Sequence, residues 1–88
     1  MALDERTQSA LVVQSGDSYP LGAMVRDGGV NFCLYAQGAR TVELLLFETP
    51  DSPQPQTTIR LDPQHNHTFH YWHVFVIGLT VGQVYGYR

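Results

Sequence analysis

Apolar and polar residues alternate along most of this chain with a period of two. Val30, Phe32, Leu34 and Ala36 interleave with Asn31, Cys33 and Tyr35, the spacing that puts one set of side chains on each face of a β-strand. A shorter apolar run, 23–26, precedes it across Asp27-Gly28-Gly29, a strong turn signal because glycine takes positive φ without steric cost. The pattern predicts a hairpin of strands 23–26 and 30–36, entered through Pro20. Further strands are predicted over 41–48 (TVELLLFE), 57–61, 69–77 and 83–88. Between them lie a loop at 49–56 (TPDSPQPQ), rich in proline and free of apolar residues, a second loop at 62–68 and a turn at 78–82. Residues 1–18 are polar apart from Ala10-Leu11-Val12-Val13 and read as a loose lead-in with a short edge strand. No helical period and no internal repeat is visible.

Six or seven short strands with turns at this spacing predict an all-β fold, an antiparallel β-sandwich of immunoglobulin type. In VELLLFE, one face carries Val42, Leu44 and Leu46 and the other Leu45 and Phe47; in WHVFVI the faces carry Trp72, Val74 and Val76, then Phe75 and Ile77. A free two-sheet sandwich needs one apolar face per strand, so two-faced strands imply a second cover, from another domain of a longer chain or from a subunit partner. The competing reading is that these are tolerated single exposures. Tyr85 and Tyr87 share a face of the last strand and are available to pack against a neighbouring domain.

Length and charge narrow the classes. Eighty-eight residues make one domain with one modest core, leaving no room for an elaborate active-site shell. The formal charge is −3, with eight acids against five scattered arginines and no lysine. Without a basic stripe, nucleic acid and anionic lipid are not expected partners. A lone Cys33 forms no internal disulfide, which fits a reducing compartment. The acidic start MALDERTQ is unlike a secretory signal, and no apolar run approaches the roughly 20 residues that span a bilayer. The expectation is a soluble cytoplasmic domain.

The candidate chemistry is thin. HNHTFHYWH, residues 65–73, holds all four histidines. In extended chain His65 and His67 lie on one face about 7 Å apart, His70 points to the other face, and His73 lies about 20 Å from His67; solvated loop and strand histidines are expected, and no metal. Asn66-His67-Thr68 is a glycosylation sequon without a secretory route. Asp17, Asp27, Asp51 and Asp62 fall in turns, where Asx hydrogen bonding explains them better than a catalytic carboxylate pair. Ser15 has no nucleophile-elbow context, Gly28-Gly29 lacks the rest of a dinucleotide loop, and Cys33 reads as a small core residue. No catalytic set and no cofactor site is expected. Trp72 and Tyr71, with Tyr85 and Tyr87, remain, because sugar rings have apolar faces that pack on flat aromatic side chains. Against that, Trp72 alternates with Val74 and Val76, as a core tryptophan would.

The series PLGA (20–23), GGVNF (28–32), VELLLF (42–47) and a closing Trp72-His73, Gly78-Leu79, Gly82-Gln83 and YGYR (85–88) resembles the N-terminal domain of isoamylase-type glycogen and starch debranching enzymes, a carbohydrate-binding module family 48 domain. The resemblance runs from about Gly16 to Arg88 and implies an early-set immunoglobulin-like sandwich over 16–88, after a flexible lead-in, 1–15. Two positions depart from the pattern: Val81 stands where proline is common, and Phe69 where glycine is frequent. The resemblance further implies that the strand ending at Arg88 continues and that another follows it, making these residues part of a longer chain, short of a last strand. In that family a following (β/α)₈ barrel hydrolyses α-1,6-glucosidic branches with an Asp nucleophile, a Glu acid/base and a third Asp by a retaining mechanism; none of those residues falls here. What is implied is a non-catalytic accessory domain whose partners are that barrel and, through Trp72 and Tyr71, an α-glucan. Trp72 matches the family's recurring Trp-His pair, which is structural. An autonomous glycogen- or starch-binding module and a plain immunoglobulin-like protein-interaction domain stay open.

Overall fold

The computed structural model describes residues 11–88; the first part of the expected lead-in lies outside the described residues. Eight strands follow in order: β1 (Val12–Gln14), β2 (Gly22–Arg26), β3 (Gly29–Tyr35), β4 (Glu43–Phe47), β5 (Thr57–Arg60), β6 (His67–Thr68), β7 (Tyr71–Ile77) and β8 (Val84–Tyr87). The larger sheet runs β1-β7-β3-β2, with β6 also on β7, and the smaller runs β5-β4-β8. Every pairing is antiparallel. The two sheets enclose a core of Val30 and Phe32 from β3, Leu44 and Leu46 from β4, and Trp72, Val74 and Val76 from β7, closed by Val42 and Leu61. This is the sandwich that the alternation predicts.

The hairpin forms where the pattern placed it, with Ala23 opposite Phe32 and Val25 opposite Val30. β1 is the short edge strand expected within residues 1–18 and pairs with β7, Val12 opposite Ile77; with Ser15 it belongs to the sandwich and not to a lead-in running to residue 15. Two further elements differ in detail. The loop expected at 62–68 ends in β6, which pairs with the start of β7. β7 itself begins at Tyr71, because Phe69 adopts φ 58° and cannot continue an extended run.

The outer face of the larger sheet answers the question of a second cover. Asn31, Cys33 and His73 point away from the core yet are buried. After β1 the chain turns back as a strap across β3 and β7. The backbone N–H of Asp17 donates to Asn31 Oδ1 at 2.8 Å, and Asn31 Nδ2 donates to the Asp17 carbonyl at 3.1 Å. His73 Nδ1 donates to the Ser15 carbonyl at 2.7 Å. Much of the cover is therefore the chain's own backbone, made adhesive by polar side chains. Gly16 lets it lie close: its φ is 77°, and a Cβ there would meet the Val74 carbonyl carbon at 2.7 Å and Asn31 Oδ1 at 2.8 Å.

In the smaller sheet, Leu45 is also buried, and the Phe47 ring lies beside Gly86, 3.8 Å from where a Cβ would stand. Tyr85 and Tyr87, expected to be available to a neighbour, both turn toward the interior, Tyr85 remaining partly exposed at the open edge. Tyr85 packs edge-on to Phe32 with ring centroids 4.9 Å apart, and Tyr87 packs on the core. Glu43 ties the strand ends together, accepting from Arg88 Nε at 2.8 Å and lying 3.5 Å from Arg60 Nη2. The Arg88 hydrogen bond, reinforced by both arginine charges, holds its carboxyl below the usual glutamate range.

One side of the sandwich is open. β2 and β8 are edge strands, and Val25, although it shares the inward face with Val30, is 52% exposed. Ala23 and Tyr85 beside it are also exposed, around a narrow crevice floored by Phe32.

Two expectations follow. Gly16→Ala should lower stability by roughly 1–3 kcal/mol, read by urea denaturation, since a side chain must both adopt positive φ and displace the sheet backbone. Glu43 has a folded pKa below its unfolded value of about 4.3, so its contribution is complete above that pH and is lost as pH falls through the folded value. Thermal melts from pH 6 to pH 2 should therefore show a shallower acid loss for Glu43→Gln than for the parent chain; identical profiles would contradict the ion-pair account.

Candidate functional site

Tyr35 at the end of β3 and Tyr71 at the start of β7 are directly opposite in the register. Tyr35 sits one residue beyond inward-facing Leu34 and Tyr71 one before Trp72, so both tyrosines point outward. Their rings meet edge to face, centroids 5.3 Å apart and planes at 69°. The β6–β7 turn adds two more rings. The Ala36 N–H donates to the His70 carbonyl at 2.9 Å, which fixes the turn against the end of β3. The His70 imidazole then stands edge-on to Tyr35 at 5.7 Å and lies against the tilted Phe69 ring at 3.9 Å. Phe69 is 73% and Tyr35 47% exposed. The result is a contiguous aromatic patch at one end of the larger sheet, with polar tips from Tyr35, Tyr71 and His70.

Of the two candidate platform residues named by the sequence, the structure brings only Tyr71 to this surface. Trp72 is 1% exposed, inside the core. One face of its indole stacks on the His67 ring at 4.1 Å and 12°. It has no free face for a sugar, which corrects that reading: the residue belongs to the inward set with Val74 and Val76. Tyr35, Phe69 and His70 were missed as site residues. Their convergence depends on the β3–β7 register and on a turn at Phe69, and only the alternation of Tyr35 and Tyr71 in their respective strands hinted at it.

The histidines have separate structural roles. His65 Nδ1 lies 2.7 Å from Asp62 Oδ2, and the pairing, together with the Gln64 N–H donated to Oδ1 of Asp62, lowers the Asp62 pKa. His73 is buried rather than solvated. Because its Nδ1 donates to a carbonyl, its Nε2 in the neutral ring accepts from the Thr68 hydroxyl 2.8 Å away. Among the described residues no three histidine, cysteine or acidic side chains converge as a metal site would require. Asn66 of the sequon is buried, its side chain accepting from the Asp62 N–H at 2.8 Å. Burial pushes the Cys33 thiol up, the opposite of a nucleophile. A shallow groove of about 460 Å³ lies over Phe75, between Gln14 and Asn31, but Arg26 there is paired with Asp17 at 3.2 Å.

An antiparallel sandwich carrying a surface aromatic cluster is an architecture on which recognition and accessory modules are built. Residues 20–88 match carbohydrate-binding module 48 (isoamylase N-terminal domain), and the chain belongs to that family. It is 44% identical over 78 residues to isoamylase 1, chloroplastic, of Oryza sativa subsp. japonica, a match covering 86% of this chain and 10% of that protein. It is 37% identical over 76 residues to the glycogen operon protein GlgX homolog of Mycobacterium tuberculosis, again 86% of this chain and 10% of the relative. A glycogen debranching enzyme of Serratia proteamaculans is 40% identical over 73 residues. The chain thus spans about a tenth of the length of these relatives. No helix among the described residues is long and apolar enough to cross a membrane.

As the single tryptophan, Trp72 is a clean probe of this assignment. Its emission should be blue-shifted and weakly quenched by acrylamide in the native chain, becoming strongly quenched in urea. Strong native quenching would return the indole to the surface.

Proposed function

We propose that this chain serves as a non-catalytic accessory domain of an α-glucan debranching enzyme. Its parent protein hydrolyses α-1,6-glucosidic branches of glycogen or starch in a following barrel domain, and the sandwich packs on that barrel. The observation that carries the reading is the family match over 20–88 combined with a span of one tenth of relatives that are named isoamylase or glycogen debranching enzyme. The open side of the sandwich supports the packing role. Val25, Ala23 and Tyr85 expose an apolar edge there, and a neighbouring domain of the same polypeptide would cover it without the entropy loss of recruiting a separate partner. The unpaired Cys33 is in keeping with a reducing compartment such as the cytoplasm, although the plant relatives are chloroplastic by name.

A second role, direct glucan contact through Tyr71, is favoured by the aromatic patch. Its rings provide flat apolar faces, and the hydroxyl and imidazole groups around them suit sugar hydroxyls.

The chain alone is expected to release no reducing sugar from amylopectin, and hydrolysis by it would overturn the accessory role. Titration with a linear maltooligosaccharide, followed by amide NMR shifts, should give saturable changes that include Tyr71. Unchanged spectra at millimolar sugar would remove the glucan-contact role and leave the packing role standing.

A further inference from the structure

Phe69 is the described non-glycine residue that adopts positive φ, at 58°. A bulky side chain in the left-handed region is disfavoured, whereas glycine takes that backbone freely. Such a cost is usually offset by burial, yet this residue is 73% exposed and its ring makes its aromatic contact with His70 among the described residues. Strained, exposed and apolar together, the residue contributes little to the fold it distorts. Isolated exposed apolar residues need no explanation, but this one lies at the head of a contiguous cluster of Tyr35, His70 and Tyr71.

Resting on the glucan-contact reading above, we propose that Phe69 is the leading contact of a sugar-binding platform at this end of the larger sheet. A pyranose ring of a linear α-glucan packs on its exposed face, and a neighbouring residue of the same glucan reaches Tyr35. The left-handed turn is what lifts the Phe69 ring off the sheet. At a regular strand position its side chain would lie along one face of the β-sheet. The rings around it are set edge to face rather than stacked on one another, at 84° for Tyr35–His70 and 69° for Tyr35–Tyr71. Polar groups border these faces: the Tyr35 hydroxyl lies 3.4 Å from the exposed Gln37 amide oxygen, and the His70 imidazole is adjacent. Apolar faces edged by uncharged hydrogen-bonding groups suit a neutral polyhydroxylated ligand. A charged one would find no fixed counter-charge among these side chains.

The test is Phe69→Gly in the 88-residue chain, compared with the parent chain by NMR titration with maltoheptaose and by thermal melting. Glycine removes the ring and relaxes the backbone, so the variant should melt at the same temperature or higher while binding at least about tenfold more weakly. Tyr35→Ala should also weaken binding, and parent-chain shifts should cluster at 35, 37 and 69–71. If the parent chain binds but Phe69→Gly binds equally well, or if the shifts map elsewhere, this inference fails while the glucan-contact reading survives. If the parent chain does not bind, both fail.

Discussion

The pairing of β3 with β7 is the contact on which everything else in this domain rests. Seven consecutive residue pairs, from Gly29–Ile77 to Tyr35–Tyr71, set the register. A slip of one residue would turn every side chain to the other face. Val30 and Phe32 face the core together with Trp72, Val74 and Val76, while Asn31 and His73 present their hydrogen bonds to the strap. The same register ends by placing Tyr35 against Tyr71. Core, outer cover and aromatic patch are three results of one alignment.

The alternation of apolar residues made the strands legible because it is a local property. The hairpin at Asp27-Gly28 and the inward sets of β4 and β7 all follow from it. What escaped was set by contacts between distant residues. The burial of His73 depends on a carbonyl 58 residues away, and no spacing rule within 65–73 points to Ser15. Leu45 and the outward residues of β7 suggested a missing partner, when the larger sheet finds much of its cover in its own N-terminal strap. Trp72 was ambiguous between core and surface until β6 set His67 against it. The motif series did carry the family, since it records side chains chosen for the whole fold rather than for one strand.

Polar chemistry in this domain serves attachment more than reactivity. Asn31, Asn66 and His73 are buried and have their side-chain hydrogen bonds made to backbone or to one another's neighbours, which is the condition under which buried polar groups are tolerable. The Glu43 carboxylate performs the same service at the strand ends. The Phe69 turn departs from this pattern: a bulky residue at positive φ stays largely exposed, its ring against His70, and for that reason it directs attention outward.

The strap also fixes an order of events. β1 pairs with β7, and the Ser15 carbonyl accepts from His73 of β7 and from Asn66 just before β6, so these contacts close loops that span most of the domain. Loop-closure entropy makes such contacts late in folding. On the ribosome β1 and Ser15 therefore emerge before their partners and wait, unpaired, until residues 71–77 have cleared the exit tunnel. Within this domain the strap is made before its partners and is among the last parts to be fastened.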